Sequence, residues 1–260
     1  MQDMLDWSLL APALVAGLLV LLTHVPLGRA VLQRGIIFID LAVAQIAGLG
    51  VIAAHTLGWE VHGFKTQLVA LAAALCGAFL LSKAETVLRE QQEALIGISF
   101  VLAATAGLLL LAHNPHGGEH LRELLIGQIL WTTWQDLLPL ALVTLLFGLL
   151  YWRIPAMIQS SHFYLVFAVI ITFSVQVVGV YLVFASLVIP AFALFKETHK
   201  ALLKAFLLGV SGYVLGLLVS LYLDLPTGAA IVWSLAIVSM GYWLVMKMKS
   251  VKAEPPRSNL

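Results

Sequence analysis

Asp40 is the only carboxylate in RGIIFIDLAVAQIAGLG, Arg34 to Gly50, a stretch that is otherwise almost wholly apolar. An ionised carboxylate set in hydrocarbon is costly unless it is paired, hydrated or bound to a cation. Such an acid either snorkels toward Arg34 or caps a neighbouring helix, or it serves as a ligand or relay on a transport path. An intramembrane acid takes the second reading by default. Helical spacing places Ala44 on the Asp40 face and Gln45 roughly 140° away. Gln45 is therefore a polar group for an adjacent helix or for a translocated ion. Glu93, which opens EALIGISF, suits the positive N-terminal end of a helix dipole.

A second constellation lies in AHNPHGGEHLREL, with His113, His116, Glu119 and His120 close together. His116 to His120 reads H-x-x-E-H, which on a stable helix suits a zinc peptidase. Pro115, Gly117 and Gly118 interrupt the segment and argue against a rigid catalytic helix. A loose imidazole cluster that meets a divalent cation remains open, as does a solvated loop, because imidazole suits Zn, Cu, Fe and Ni. Asp224, in LYLDLPTG, is an exposed acid in a turn made by Pro226 and Gly228. His24, His55, His62, His162 and His199 are scattered, and placement at span ends accounts for them.

The elements that must position these groups follow from composition. The 260 residues are 62% hydrophobic and 10% charged, against about 25% charged in soluble domains. Apolar runs fall near 8–25, 36–57, 66–82, 94–112, 135–152, 163–183, 184–195, 205–223 and 228–246. Most are long enough for a bilayer core as helices. The run 184–195 is short and contains Pro190, which points to a broken or tilted helix or a hairpin with its neighbour. The chain is thus expected to be an all-α integral membrane protein of about nine spans. Residues 1–248 would form the transmembrane domain, with residues 249–260 a disordered polar tail.

Charge fixes the expected orientation. With the C-terminus inside, twelve of the fourteen Lys and Arg face the cytoplasm: Arg29, Arg34, Lys83, Arg89, Arg153, Lys196, Lys200, Lys204, Lys247, Lys249, Lys252 and Arg257. Only Lys65 and Arg122 stay outside, so the positive-inside rule selects N-terminus out and C-terminus in. Trp7, Trp59, Trp131 and Trp134 then mark the outer interface, and Trp152 and Trp243 the inner one. The N-terminal stretch lacks a basic n-region and reads as a retained span. Gly212 and Gly216, in GVSGYVLG, have the spacing of a close helix-packing face.

Other chemistries lack their motifs. The net charge of +1 leaves no nucleic-acid footprint, and the single Cys76 excludes a disulfide framework. There is no G-x-x-x-x-G-K-[ST], so ATP-driven work requires a separate chain docked on the short inner loops.

Several segments together resemble the permease family of zinc/manganese ABC importers. GIIFIDLAVAQIAGLG resembles its second-span motif, and EALIGISFVLAATAGLLLL its fourth-span signature. LRELLIGQILWTTWQDLL, QVVGVYLVFASLVIPAFALF (with Pro190 as the family's proline) and LDLPTGAAIV follow in the family's order. The resemblance implies a type II importer permease, multi-pass in the cytoplasmic membrane of a prokaryote. It implies a homodimer, two cytoplasmic ATP-binding subunits and an external metal-binding receptor. It implies no resident cofactor, no enzymatic activity of its own and no nucleic acid, only a transported divalent metal: zinc first, manganese or iron otherwise. Asp40, with Gln45, would contribute to the metal path.

Two departures stand out. Ala44 occupies the family's usual histidine position, leaving a harder, oxygen-rich environment. The coupling segment is shortened to RIPAMIQSSHFYL, so Arg153, Ile154, Pro155, Met157 and Ser160 are the expected docking residues, with Pro155 opening a short helix. His113, His116, Glu119, His120 and Asp224 would guide metal at the outer mouth. The rival readings are an ion-coupled secondary transporter, an intramembrane metallopeptidase, and a scaffold subunit without a path.

Overall fold

The structure, a computed structural model, describes residues 7–60, 63–112, 122, 125–197 and 199–253. Lipid supplies no hydrogen-bond partners, so backbone in an apolar run closes its own bonds as helix. Among the described residues, nine helices of fourteen residues or more follow one another and no strand occurs. They are α1 Trp7–Arg34, α2 Ile39–Thr56, α3 Phe64–Val87, α4 Gln92–Leu111, α5 Trp134–Arg153, α6 Phe163–Val178, α7 Val180–Ala193, α8 Ala201–Leu223 and α9 Thr227–Ala253. Seven are long and apolar enough to cross a membrane singly, and α6 with α7 passes only as a bent pair. The chain is a multi-pass, all-α membrane protein. Helix α9 runs through Ala253, past Met248 where the sequence places the end of the membrane domain.

Side-chain bonds sort the helix ends. Arg34 closes α1 and reaches Glu85 near the end of α3 at 3.2 Å. It also donates to Ile158 O and Ser160 O, between α5 and α6, at 2.9 Å each. Arg29 donates to Glu197 O between α7 and α8 at 3.2 Å, and Tyr242 of α9 donates to Glu197 Oε1 at 2.9 Å. One end of the bundle thus gathers Arg29, Arg34, Lys83, Arg89, Arg153, Lys196, Lys200, Lys204 and Lys247. At the other end Lys65 lies over the Trp59 ring, 5.8 Å from its centroid, and Trp131 and Trp134 are exposed where α5 begins.

Helices α6 and α7 begin and finish at the basic end, because Ser160 precedes one and Glu197 follows the other. They turn by 119° at Gly179, so they form a hairpin with its apex toward the aromatic end. Legs of 16 and 14 residues reach about 24 and 21 Å at 1.5 Å per residue. The break lies at Gly179, not between residues 183 and 184 as the apolar runs suggest. Pro190 does not interrupt α7; it is buried within it.

Gly179 adopts φ 81° and ψ 162°, a conformation open essentially to glycine alone. A Cβ there would stand 2.3 Å from Gly127 N, and one on Gly127 would stand 2.3 Å from the Val178 carbonyl carbon. The apex is therefore clasped, backbone to backbone, by residues 126–127. Gly212 and Gly216 perform the close packing that their spacing implies: a Cβ on Gly216 would lie 2.4 Å from Ile231 Cα of α9.

Helices α1 and α2 are the most buried of the long spans and, with the hairpin, form the interior; α4 and α5 lie at the rim. Between α7 and α8, the Glu197 carboxylate is bonded by the Lys204 ammonium from the first turn of α8 and held below the ordinary glutamate range. A depressed carboxyl stabilises the fold above its unfolded value near 4.5 and loses that contribution as pH falls below it. Glu197→Gln should therefore lower thermal stability slightly at neutral pH, change little once the carboxyl is protonated, and so flatten the acid limb of the profile below about pH 4.5. An unaltered acid limb would deny the pair this role.

Candidate functional site

Asp40 lies in the first turn of α2, behind the α1–α2 turn in which Gly35 has φ +71°. It is 1% exposed, and neither carboxyl oxygen has a hydrogen-bond partner. Among the described residues no Lys or Arg pairs with it; the backbone N–H groups of Asp40 and Leu41 and the acidic Glu93, in the first turn of α4, are the polar groups that act on it. Glu93 Oε1 accepts from Phe38 N at 3.2 Å, and its Oε2 is buried without a partner. Asp40 and Glu93 thus leave three carboxyl oxygens without a hydrogen-bond partner on the two packed helices α2 and α4. Such a donor set repels itself when empty and is satisfied by a cation.

One turn along α2, Ala44 and Gln45 line a cavity of about 10 Å³ with Gly48, Ala103, Gly107, Val175 and Val180. That is room for about one water molecule. Gln45 is the polar side chain in this lining, at the meeting of α2, α4 and the hairpin apex. Its face differs from that of Asp40, as the helical spacing requires.

The other candidate residues fall elsewhere. His113, His116, Glu119 and His120 lie outside the described residues, as does the Trp7 side chain. Asp224 is the left-handed C-cap of α8, with φ 51° and its N–H bonded to Ser220 O. Among the described residues no three His, Cys, Asp or Glu side chains gather to hold a metal. His24 is a correction to the span-end reading: it is fully buried inside α1, with Nδ1 2.9 Å from Val20 O.

The expected short helix before α6 is present as a 3₁₀ turn, Pro155–Gln159, with Pro155 at its start. Ser160 Oγ donates to Met157 O at 2.8 Å and closes the turn. None of its residues is buried, Pro155 is exposed, and so are Arg153 and Ile154 beside it. Two contributors escaped the sequence. Glu93 reads there as a dipole partner, and only the pairing of α2 with α4 brings it to Asp40. Arg34 reads as a topology charge, yet its side chain is 16% exposed and lies 4.6 Å from the Phe163 ring centroid.

The chain matches the model of the ABC 3 transport family over residues 6–161 and 153–246. It is 26% identical over 253 residues to the manganese transport system membrane protein MntC of Halalkalibacterium halodurans, an alignment that covers 89% of this chain and 85% of that protein. Its fold is similar to that of PsaBC from Streptococcus pneumoniae solved in complex with a Fab, with a TM-score of 0.73 at 19% identity, covering 94% of this chain and 96% of that one. The family match spans nearly the whole sequence, and with a bundle of membrane-crossing helices around a buried acid it is decisive: the chain belongs to the ABC 3 transport family.

Proposed function

We propose that this chain is the membrane-spanning permease of an ATP-driven importer for a divalent transition metal, and that the ion passes between Asp40 and Glu93. The observation that carries the reading is the open carboxylate pair: a nearly inaccessible Asp40 with both oxygens unpartnered, beside a Glu93 with one. The basic end faces the cytoplasm by the positive-inside rule. There the exposed Pro155–Gln159 turn, with Arg153 and Ile154, offers the docking surface for two copies of a separate ATP-binding subunit. An external receptor delivers the ion at the aromatic end, where His113, His116, Glu119, His120 and Asp224 guide it. Two copies of the permease complete the assembly.

Carboxylate, amide and water oxygens suit Mn²⁺ better than the softer donors that select zinc. Ala44 supplies no imidazole beside Asp40, and the similar Halalkalibacterium halodurans protein is named for manganese. Manganese is accordingly the favoured cargo, ahead of the zinc that family resemblance alone suggests. Alternating access then requires two helix arrangements that differ in affinity for the ion.

Uptake of Mn²⁺, Zn²⁺ and Fe²⁺ by cells expressing the chain with its ATPase subunit tests this. Mn²⁺ uptake should dominate and should stop when the phosphate-binding lysine of the ATPase is replaced. Uptake that persists without a working ATPase would overturn the ATP-driven reading in favour of an ion-coupled carrier. Dominant Zn²⁺ uptake would overturn the choice of metal alone.

A further inference from the structure

Arg34 stands where three routes meet. It ends α1, six residues before Asp40. Its guanidinium donates to Ile158 O and Ser160 O at 2.9 Å each and to Glu85 Oε1 at 3.2 Å. It also lies over the Phe163 and Tyr164 rings, 4.6 and 5.8 Å from their centroids. It therefore grips the exposed 3₁₀ turn by backbone carbonyls, whatever side chains that turn presents.

From Arg34, two paths reach the carboxylate pair. One is covalent, through the tight Gly35–Ile37 turn to Phe38 and Asp40. The other runs through Tyr164, whose hydroxyl accepts a bond from Gln92 Nε2. Gln92 adjoins Glu93, and Glu93 accepts from Phe38 N. The two paths close a ring of short contacts, so the turn cannot shift against α1 without straining the site that holds Phe38 and Glu93. Bidentate, planar and stacked contacts of this kind are specific to a guanidinium.

We infer that Arg34 is a positioning residue that transmits movement of the Pro155–Gln159 turn to the Asp40–Glu93 pair, so that nucleotide-driven motion at the turn changes the hold on the ion. The inference rests on the ATP-driven reading above. Arg34 touches neither ion nor nucleotide; its effect lies wholly in coupling two events. A residue that only supports the fold lowers ATP hydrolysis and transport together. A transmitting residue changes the ratio between them.

The experiment is the permease with its ATPase subunits in sealed vesicles, measuring ATP hydrolysed and Mn²⁺ taken up, with Zn²⁺ run in parallel. Arg34→Lys keeps the charge but cannot hold two carbonyls, Glu85 and the Phe163 face at once. It should raise the ATP spent per Mn²⁺ by about tenfold, within the usual range of site-to-site coupling, while ATP hydrolysis persists. Tyr164→Phe removes a single hydroxyl and should raise the ratio about fivefold, at the low end of that range; it decides the matter if Arg34→Lys does not reach the membrane. An unchanged ratio in these variants, beside an ATP-dependent wild type, overturns the inference alone. A wild type whose uptake ignores ATP takes down the reading on which it rests, and the inference with it.

Discussion

Asp40→Asn should abolish metal uptake and yet make the permease harder to unfold. The two effects share one cause. Asp40 is 1% exposed, both its oxygens are unpartnered, and its charged neighbour is Glu93, of like sign. In the empty protein this acid is a cost, because a buried charge without a partner forfeits its hydration. Replacing the charge by a neutral amide removes that ionisation cost and should raise the unfolding midpoint by several degrees. In the loaded protein the same carboxylate is a ligand. Even substitutions outside the first coordination shell lower metal affinity or activity by about 10- to 100-fold, so losing a charged ligand should cost at least that much. The check is paired: Mn²⁺ uptake at matched membrane abundance, and thermal unfolding in detergent without added metal. A variant that transports normally, or one that transports poorly because it has lost stability, would show that Asp40 is an ordinary structural acid. Function at the expense of stability is the pattern expected at a working site.

The second large effect is on the fold. Gly179→Ala must place a Cβ 2.3 Å from Gly127 N while holding φ at 81°. The backbone strain alone costs about 1–3 kcal/mol. The contact adds to it, because the opposing atoms are backbone and cannot rotate away. A loss of 3 kcal/mol or more, roughly 10 °C on the scale of soluble chains of this size, should appear in thermal unfolding and in membrane abundance. Gly127→Ala, with φ +69° and Val178 opposite, should cost a similar amount. The double variant should cost much less than the sum, because the first methyl already parts the two strands of backbone. Additive losses would mean that the two glycines act separately. Gly148, where a Cβ meets nothing within 4 Å, serves as the control and should accept alanine freely.

What the sequence reveals here, and what it hides, divides along one physical line. Asp40 is visible because a lone acid in an apolar run is costly wherever the run is buried. The helices are visible because hydrocarbon demands them. The Pro155 turn is visible because proline pre-sets a helix start. Glu93 and Arg34 are visible only as charges, since their work depends on which helix end meets which, and no local pattern encodes that. The hairpin break is hidden differently. Residues 163–195 are apolar but for Thr172, Ser174, Gln176 and Ser186, too few to draw a continuous polar stripe whose phase could slip at Gly179. Pro190 is the stronger breaker by local rules, yet α7 closes around it while a glycine eleven residues earlier turns the chain. Gly179 breaks the helix because Gly127 needs the space, a tertiary reason.

The short hairpin also bears on biogenesis. Neither leg, at about 24 or 21 Å, spans roughly 30 Å of hydrocarbon by itself. The legs are therefore poor candidates for release into lipid one at a time, and the close backbone packing at Gly179 requires residues 126–127 to be in place. Residues 126–127 leave the ribosome some fifty residues earlier, along with α1, whose arginines hold both feet of the hairpin. Synthesis from the N-terminus lays down the cradle before its occupant, and the gene order of these segments doubles as an assembly schedule.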